Sequence, residues 1–455
     1  MNESINKRDQ ELILGTLHSR GLVSAEELTA ALGKSQPTVS RALAGLGAQV
    51  LALGNARARR YGLPKLIRGR AARQDLVWTD EQGADRVFAV LTFLAGDIVH
   101  VDSKFIQHPP TKGLPWFLSP LRAQGFLGRV HARHLQAAGV HEDPQRWDLE
   151  SILYSALHLH DAPGAVTLGE WVGQVPPNPI AADETALPAA LDRLAQDVAT
   201  TLPAGSSAGG EQAKFLATLP GDQQVLVKFT PPRPSPFGER WHDLLWTEWL
   251  AGRVLAEHGV EVAQARMLQS AKRSYLISHR FDRIGARGRR HVVSIGDVHQ
   301  AFVADAYRHW AATAAELARQ GRLAKIDAER ASALLGFGRL IGNTDMHSGN
   351  LGLKVDLAGL AKGRFRLAPV YDMLPMRWKP NPEMGGAADY TPFEPEISHI
   401  TRPALVPAHH FWQRLAGLEP VSSGLRQVAA EMAQRLATAI DAASPRQPTG
   451  PPGQP

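Results

Sequence analysis

At 455 residues the chain exceeds the size that one hydrophobic core usually supports, so two or three domains are expected. Usage is ordinary for a globular protein, 44% hydrophobic and 21% charged, and the lack of any cysteine excludes disulfides, thiolate metal sites and a thiol nucleophile. No stretch approaches about 18 uninterrupted apolar residues, and the opening MNESINKRDQELI has no apolar core, so a soluble, cytoplasmic protein with no membrane partner is expected.

The net charge of +6 is localised: residues 1–74 hold 12 Lys/Arg against 5 Asp/Glu, and the other 38 and 39 nearly cancel. The positive excess therefore lies at the N-terminus, where a polyanion would be met. QELILGTLHSRG spaces Leu12, Ile13 and Leu17 on one helical face and stops at Gly21. SAEELTAALG starts on the capping box Ser24 to Glu27 and ends at Gly33, and SQPTVSRALAGLG carries Pro37 in its first turn and an apolar face of Val39, Leu43 and Leu46. This is helix-turn-helix spacing, with Gln36, Thr38, Ser40 and Arg41 as outward readers of duplex DNA. VLALGNARARRYGLP then alternates into a Gly-Asn turn and returns with Arg57, Arg59 and Arg60, as a wing beside a phosphate backbone would. A small helical domain with a solvated basic rim accounts for the same pattern.

Residues 64–73 read as a basic connector. From LVWTD through RVFAVLTFLAGDIVHVDS, β-branched and aromatic runs broken by Gly and Asp predict a strand-rich segment, followed by helical patterns near 148–158 and 183–200. SSAGGEQAKFLATL is a small-residue turn entering a strand, and QQVLVKFT is the next strand, with Lys228 interrupting its apolar run. A Gly-rich loop lets backbone amides approach phosphate, and a lysine on the following strand can hold it; a plain hairpin with an edge lysine fits equally well. In the helix LLWTEWLAGRVLAEHGVEV, Glu248 sits among Leu245, Trp249 and Leu250, where it either pairs with Lys228 or is a solvated helix residue. SYLISHRFDR is a strand running into a polar turn, suited to a hinge that reads an adenine edge.

An aspartate, a histidine and an asparagine share one short Gly-containing hexapeptide, DMHSGN, residues 345–350. In phosphoryl transfer to a hydroxyl, one carboxylate takes the proton and a nearby amide oxygen helps hold Mg²⁺; Asp345 and Asn350 suit these tasks, with His347 bracing the loop. Asp372, in FRLAPVYDMLPM, would return beside Asn350 on a hairpin as the second metal ligand. The last twelve residues, 444–455, read as a disordered tail.

Ser-x-Ala-Gly near 206, the lysine at 228, RFDR at 280, D-x-H-x-x-N at 345 and YDM at 371 occur in the order found in the HipA family of serine/threonine kinase toxins, and the upstream PWFLSPLRAQGFLG resembles that family's N-terminal subdomain. The fused helix-turn-helix resembles the YjjJ-like branch. The fold class expected is α+β: a winged helix-turn-helix (1–65), a HipA-like N-terminal subdomain (76–200), a kinase N-lobe-like region (201–283), a mainly helical C-lobe (284–443) and the tail (444–455). The resemblance implies a Mg-ATP-dependent serine/threonine protein kinase. Asp345 would accept the proton, Asn350 and Asp372 would hold Mg²⁺, and Lys228, paired with Glu248, would hold phosphate. Ala208, Gly209, Gly210 and Lys214 would cover the nucleotide, with His279, Arg280 and Phe281 at the adenine hinge and His347 and Tyr371 lining the site. Ser206 matches a serine that the family autophosphorylates, with Ser207 adjacent.

As partners the resemblance implies duplex DNA, a protein substrate, an antitoxin and a homodimer; family analogues modify aminoacyl-tRNA synthetases. Three departures stand out: one extra residue before Lys214, Gly349 where the family commonly has a lysine, and His279 where an acidic residue is common. Gly349 implies weaker activity or a different substrate, the extra residue bears on the contact of Lys214, and His279 leaves the backbone contact of the hinge open. Two other readings use the same residues: a DNA-binding transcriptional regulator whose inactive kinase-like body senses a nucleotide, and a small-molecule kinase of the aminoglycoside phosphotransferase type.

Overall fold

The computed structural model describes residues 2–55, 58–170, 177–200, 212–381, 389–397 and 400–443. The chain forms two compact units, one of Met1–Val175, Asp282–Val293 and Val355–Gly363, the other of Pro176–Phe281, Ser294–Lys354 and Arg364–Pro455. Two segments of the first unit thus come from within or beside the span 284–443. No helix among the described residues is long and apolar enough to cross a membrane.

The first unit opens with helices Asn2–Arg20, Ala25–Leu32 and Gln36–Leu46, which bury Ile13, Leu17, Leu28, Val39, Leu43 and Leu46 together. The capping box is present: the Glu27 N–H donates to Ser24 Oγ at 3.1 Å and the Ser24 N–H donates to Glu27 Oε2 at 2.6 Å. The bond from the Ser24 N–H favours the ionised carboxylate and holds the Glu27 pKa below its usual range. Strands Leu51–Leu53 and Arg60–Gly62 pair antiparallel, with Ala52 opposite Tyr61, and the two-residue strand Val23–Ser24 covers the other edge. Gly21 ends the first helix at φ +77°; a Cβ there would stand 2.7 Å from Ile98 Cδ1 and 3.0 Å from the Ala95 carbonyl oxygen. Only glycine allows both that backbone conformation and that approach.

A five-stranded antiparallel sheet follows, in the order Thr111–Lys112, Ile98–Asp102, Asp85–Leu94, Arg73–Thr79, Val166–Leu168. Residues 64–73 are not the basic connector that composition suggests. The Lys65 N–H donates to the Phe93 carbonyl, Lys65 Nζ pairs with Glu150 at 2.7 Å, and Ile67 is fully buried. Arg68 donates to the Ala138 carbonyl at 2.8 Å and to Ser151 Oγ at 3.1 Å. Two of the N-terminal cations are therefore bonded within the first unit while still partly exposed, because a charge adjacent in sequence to a helical domain is free to bond to what packs beside it. Segment 282–293 is anchored likewise: buried Arg283 donates to Asp161, Asp282 and the carbonyls of Ala162 and Gly164. Buried His291 accepts from the Ala165 N–H through Nδ1 and donates from Nε2 to the Phe117 carbonyl, a neutral tautomer; burial pulls its pKa down to about 4.

The second unit carries a four-stranded antiparallel sheet in the order Ala265–Gln269, Ser274–His279, Gln223–Phe229, Lys214–Leu219. Alternation divides its faces. Phe215, Ala217, Val225, Val227, Phe229, Tyr275 and Ile277 pack with the helix Leu187–Thr200. Leu216, Leu226, Lys228 and Leu276 fall on the opposite face. Helix Pro236–Glu257 is capped by Ser235, whose Oγ accepts from the Gly238 N–H at 3.0 Å, an interaction worth about 1 kcal/mol. Helices Ile295–Phe302, Trp310–Arg319, Lys325–Leu340, Arg402–Ala416 and Ser423–Ala443 make up the rest, with strands Gly352–Lys354 and Arg366–Leu367 paired between them. Fully buried Trp412 donates from Nε1 to the Leu340 carbonyl at 3.1 Å, tying two of these helices together.

Candidate active site

The polar side chains of the second unit converge at the face of the sheet bearing Lys228. Helix Pro236–Glu257 explains how a carboxylate reaches it. Leu244, Thr247, Ala251 and Leu255 form its buried stripe, and Glu248 stands one turn after Leu244 and three residues before Ala251. Lys228 Nζ donates to both Glu248 oxygens, at 2.6 and 2.8 Å, and also to Asp372 Oδ1. The paired alternative for Glu248 is therefore the one realised, and the solvated one is not.

Burial alone would pull the Lys228 pKa down, but the facing carboxylates of Asp372 and Glu248 outweigh it and the net direction is up. Burial raises Asp372 too, and there the ammonium of Lys228 wins, holding the carboxyl down at about 2. Glu248 shares that one ammonium and lies deeper; desolvation dominates and its pKa is raised. Asp372 also sits at φ +55°, a left-handed backbone that a non-glycine residue adopts only when its surroundings enforce it.

Asn343, which sequence reasoning missed, does part of that enforcing. Its side chain is buried; Nδ2 donates to the Asp372 carbonyl at 3.3 Å, and Oδ1 accepts from the Asp345 N–H at 3.0 Å. One amide thus joins the loop of Asp345 to the loop of Asp372. The signal was present as Asn two residues ahead of Asp in GNTD, an Asx-turn spacing. Asp345 itself is exposed, and among the described residues no group bonds its carboxylate. Asn350 Nδ2 donates to the Asp345 carbonyl at 2.7 Å, which leaves Oδ1 without a partner among the described residues. His347 does brace the loop: its Nδ1 accepts from the Gly349 N–H at 3.0 Å, and its carbonyl accepts from Trp310 Nε1 at 2.9 Å. Tyr371 donates to the Gly349 carbonyl at 3.1 Å, and burial together with Asp372 pushes its phenol pKa up.

At the expected hinge two of the three backbone N–H groups are already bonded within the fold. The His279 N–H donates to the Gln264 carbonyl and the Arg280 N–H to the Gln224 carbonyl. Phe281 differs: its N–H has no acceptor among the described residues, and its ring stacks on Tyr371 with centroids 5.7 Å apart. A cleft of about 350 Å³ adjoins, lined by Glu248, Leu276, Ser278, Tyr371 and Asp372 among others. Lys214 lies directly opposite Lys228 on the neighbouring strand. Ser206, Ser207, Ala208, Gly209 and Gly210, together with Arg57, lie outside the described residues. Of the expected DNA readers, Gln36, Ser40, Arg41, Arg59 and Arg60 are exposed; Thr38 is half-buried, its hydroxyl 2.9 Å from that of Ser35.

Among the described residues no three His, Asp or Glu side chains cluster to hold a metal alone. A cation here would rest on one carboxylate, one amide oxygen and ligand oxygens, the donor set Mg²⁺ favours.

The second unit thus holds a lysine clamped between a helix carboxylate and a loop aspartate, and comparison with known proteins gives the family of the chain. The family of HipA-like C-terminal domains matches residues 206–443, more than half of the chain, and the chain belongs to it. The YjjJ-like toxin middle domain matches residues 70–174. Toxin YjjJ of Escherichia coli (strain K12) is 33% identical over 443 residues, covering 92% of this chain and 95% of that one. Two solved structures are similar at low identity. HipA of Shewanella oneidensis MR-1, solved with HipB and operator DNA, has a TM-score of 0.48 at 17% identity, covering 82% of this chain and 92% of its own. The Helicobacter pylori proinflammatory kinase CtkA has a TM-score of 0.34 at 12% identity, covering 54% and 96%.

Proposed function

We propose that the protein is a Mg-ATP-dependent serine/threonine protein kinase of HipA toxin type, with a DNA-binding winged helix-turn-helix on the same chain. The observation that carries the enzymatic half is the bonding of Lys228 to both Glu248 and Asp372, with Asn343 joining Asp372 to the Asp345 loop. The residues fit the nucleotide: the Phe281 N–H, which has no acceptor among the described residues, suits a base nitrogen, and Lys228 and Lys214 suit phosphate. They fit Mg²⁺ as well, through Asn350 Oδ1 and the Asp372 carboxylate, and the ion when bound would neutralise phosphate charge. The chain's own groups do the rest. Asp345, open to solvent, takes the proton from an acceptor hydroxyl; Asn343 and Asn350 hold its loop; Glu248 fixes the Lys228 ammonium. Ser206 is the assigned autophosphorylation site, with Ser207 beside it.

Incubating wild type and Asp345→Asn with labelled ATP, Mg²⁺ and a cell extract tests this. Transfer to protein by wild type alone is expected; ATP binding with no transfer by either form would leave the nucleotide-sensing regulator as the better reading.

For the DNA-binding half the support is the capped three-helix unit, its two-strand hairpin and the exposed Gln36, Ser40, Arg41, Arg59 and Arg60. Arg41→Ala with Arg59→Ala should weaken duplex binding and flatten its salt dependence by roughly one unit of log–log slope per lost phosphate contact. Salt-insensitive binding by wild type would contradict it.

A further inference from the structure

Beyond Glu248, helix Pro236–Glu257 leaves the sheet of the second unit incompletely covered. Gly252 and Ala256, one turn apart on the helix, border the cleft of about 350 Å³ from one side; Ala265 and Ser278, opposite each other on adjacent strands, border it from the sheet. All four are small, so space that side chains fill in a close-packed core stays open. Buried Leu255, Leu276 and Val370 and the half-buried Trp249 supply apolar walls. A Cβ on Gly252 would meet nothing within 4 Å, so the room extends up to the helix backbone.

The residues that border this space differ from those assigned to ATP. Of the described ones in that set only Tyr371 and Asp372 line it; Lys214, Lys228, His279, Arg280, Phe281 and Asn350 do not. Its two carboxylates, Glu248 and Asp372, already share the Lys228 ammonium. The uncommitted charge is Arg253, at the exposed edge. Among the described residues no carboxylate lies within ion-pairing distance of it, since Glu257, one turn on, pairs with Arg414 at 2.5 Å instead.

We infer that this cavity is a second ligand site, separate from the nucleotide's, for a small aromatic carboxylate. The flat apolar body lies between Gly252 and Ala265, and the carboxylate meets the Arg253 guanidinium at the mouth. Cavities that hold small molecules span roughly 300–1,000 Å³ and are mostly apolar, with a few polar groups that fix orientation, which is the composition here. The walls offer water few partners, and a carboxylate on Arg253 makes a charge-assisted bond stronger than a neutral one. Glu248 stands four residues before Gly252 on the same helix, so an occupant braces that helix and the Lys228 clamp with it. The site is defined by the cavity and Arg253, and it goes beyond the kinase reading without requiring it.

The probe is cinnamate, titrated into the full-length protein without nucleotide and followed by calorimetry and thermal melting. Wild type should bind a single equivalent with a Kd on the order of 100 µM and melt higher in its presence. Arg253→Gln should weaken binding about tenfold, and neutral cinnamyl alcohol should bind wild type about as weakly as cinnamate binds that variant. Gly252→Leu fills the space. It should abolish binding up to about 1 mM and keep Mg-ATP affinity within about threefold, and it should melt no lower than wild type because glycine is a poor helix former. No cinnamate binding by wild type, binding retained by Gly252→Leu, cinnamyl alcohol binding as tightly as cinnamate, or displacement of the probe by Mg-ATP would each overturn the assignment. None of these measurements reads phosphate transfer, so the kinase reading stands or falls separately on its labelled-ATP assay.

Discussion

Replacing Lys228 with methionine isolates the electrostatic bargain at the centre of the site. The side chains of Lys228, Glu248 and Asp372 are 7%, 11% and 27% exposed, so all three have left most of their water. In wild type one ammonium serves two carboxylates. Methionine fills similar volume and leaves the two acids facing each other uncompensated, a change that typically costs about 3–5 kcal/mol. At about 2–4 °C per kcal/mol for a unit of this size, melting should fall by roughly 6–20 °C at pH 7.5. Glu248→Gln, which leaves Lys228 its bond to Asp372, should cost less, about 1–3 kcal/mol.

The pH dependence gives a sharper signature. With the cation gone, burial and mutual repulsion raise the folded-state pKa of the carboxyl pair above its unfolded value. A raised folded pKa contributes stability below it and loses that contribution as pH rises through it. The deficit of Lys228→Met should therefore shrink on acidification from pH 7.5 to 5.5, whereas a simple packing defect would not change. Fluorimetric melting at both values decides. A variant that melts within a degree or two of wild type at pH 7.5, or a deficit that stays constant, would refute the picture of one buried ammonium holding two acids.

Other outcomes follow from the same structure. Asn343→Ala strips a partner from both the Asp345 N–H and the Asp372 carbonyl, so transfer rate should fall more than Mg-ATP affinity; an equal fall in both would mean that the amide only supports folding. His291, held neutral with a pKa near 4, has a folded value below its unfolded one. Its contribution is full above about pH 6.5 and declines as pH falls, by about 2 kcal/mol at pH 5, so His291→Gln should flatten the loss of melting temperature between pH 7 and 5. Gly21→Ala, which places a Cβ against Ile98 and the Ala95 carbonyl at positive φ, should lower melting of the first unit by about 1–3 kcal/mol; a neutral result would show that the turn can move.

Much of this was readable from local pattern. Ser24 to Glu27 names a helix start because both partners of the box are on the page within four residues. Gly21 and Gly33 name stops because only glycine adopts their backbone cheaply. Lys228 stood out as the one charge in an apolar strand, where burial makes charge costly, and Asp345, His347 and Asn350 stood out by sharing one short loop.

What sequence by itself determined, then, were the short-range terms: caps, turns, strand alternation, and which residue types were available for phosphate and metal. Tertiary structure alone decided the partnerships. Whether Glu248 met water or Lys228 depended on how helix Pro236–Glu257 lies against the sheet, 20 residues away in the chain, and Asp372 reached the same ammonium from 144 residues away. Lys65 and Arg68 looked like a free basic connector until the folded chain set Glu150 and Ala138 beside them. The reason is physical: a side chain's neighbours along the chain set its backbone, but its charge, pKa and reach are set by whatever occupies the few ångströms around it, and only folding fills those.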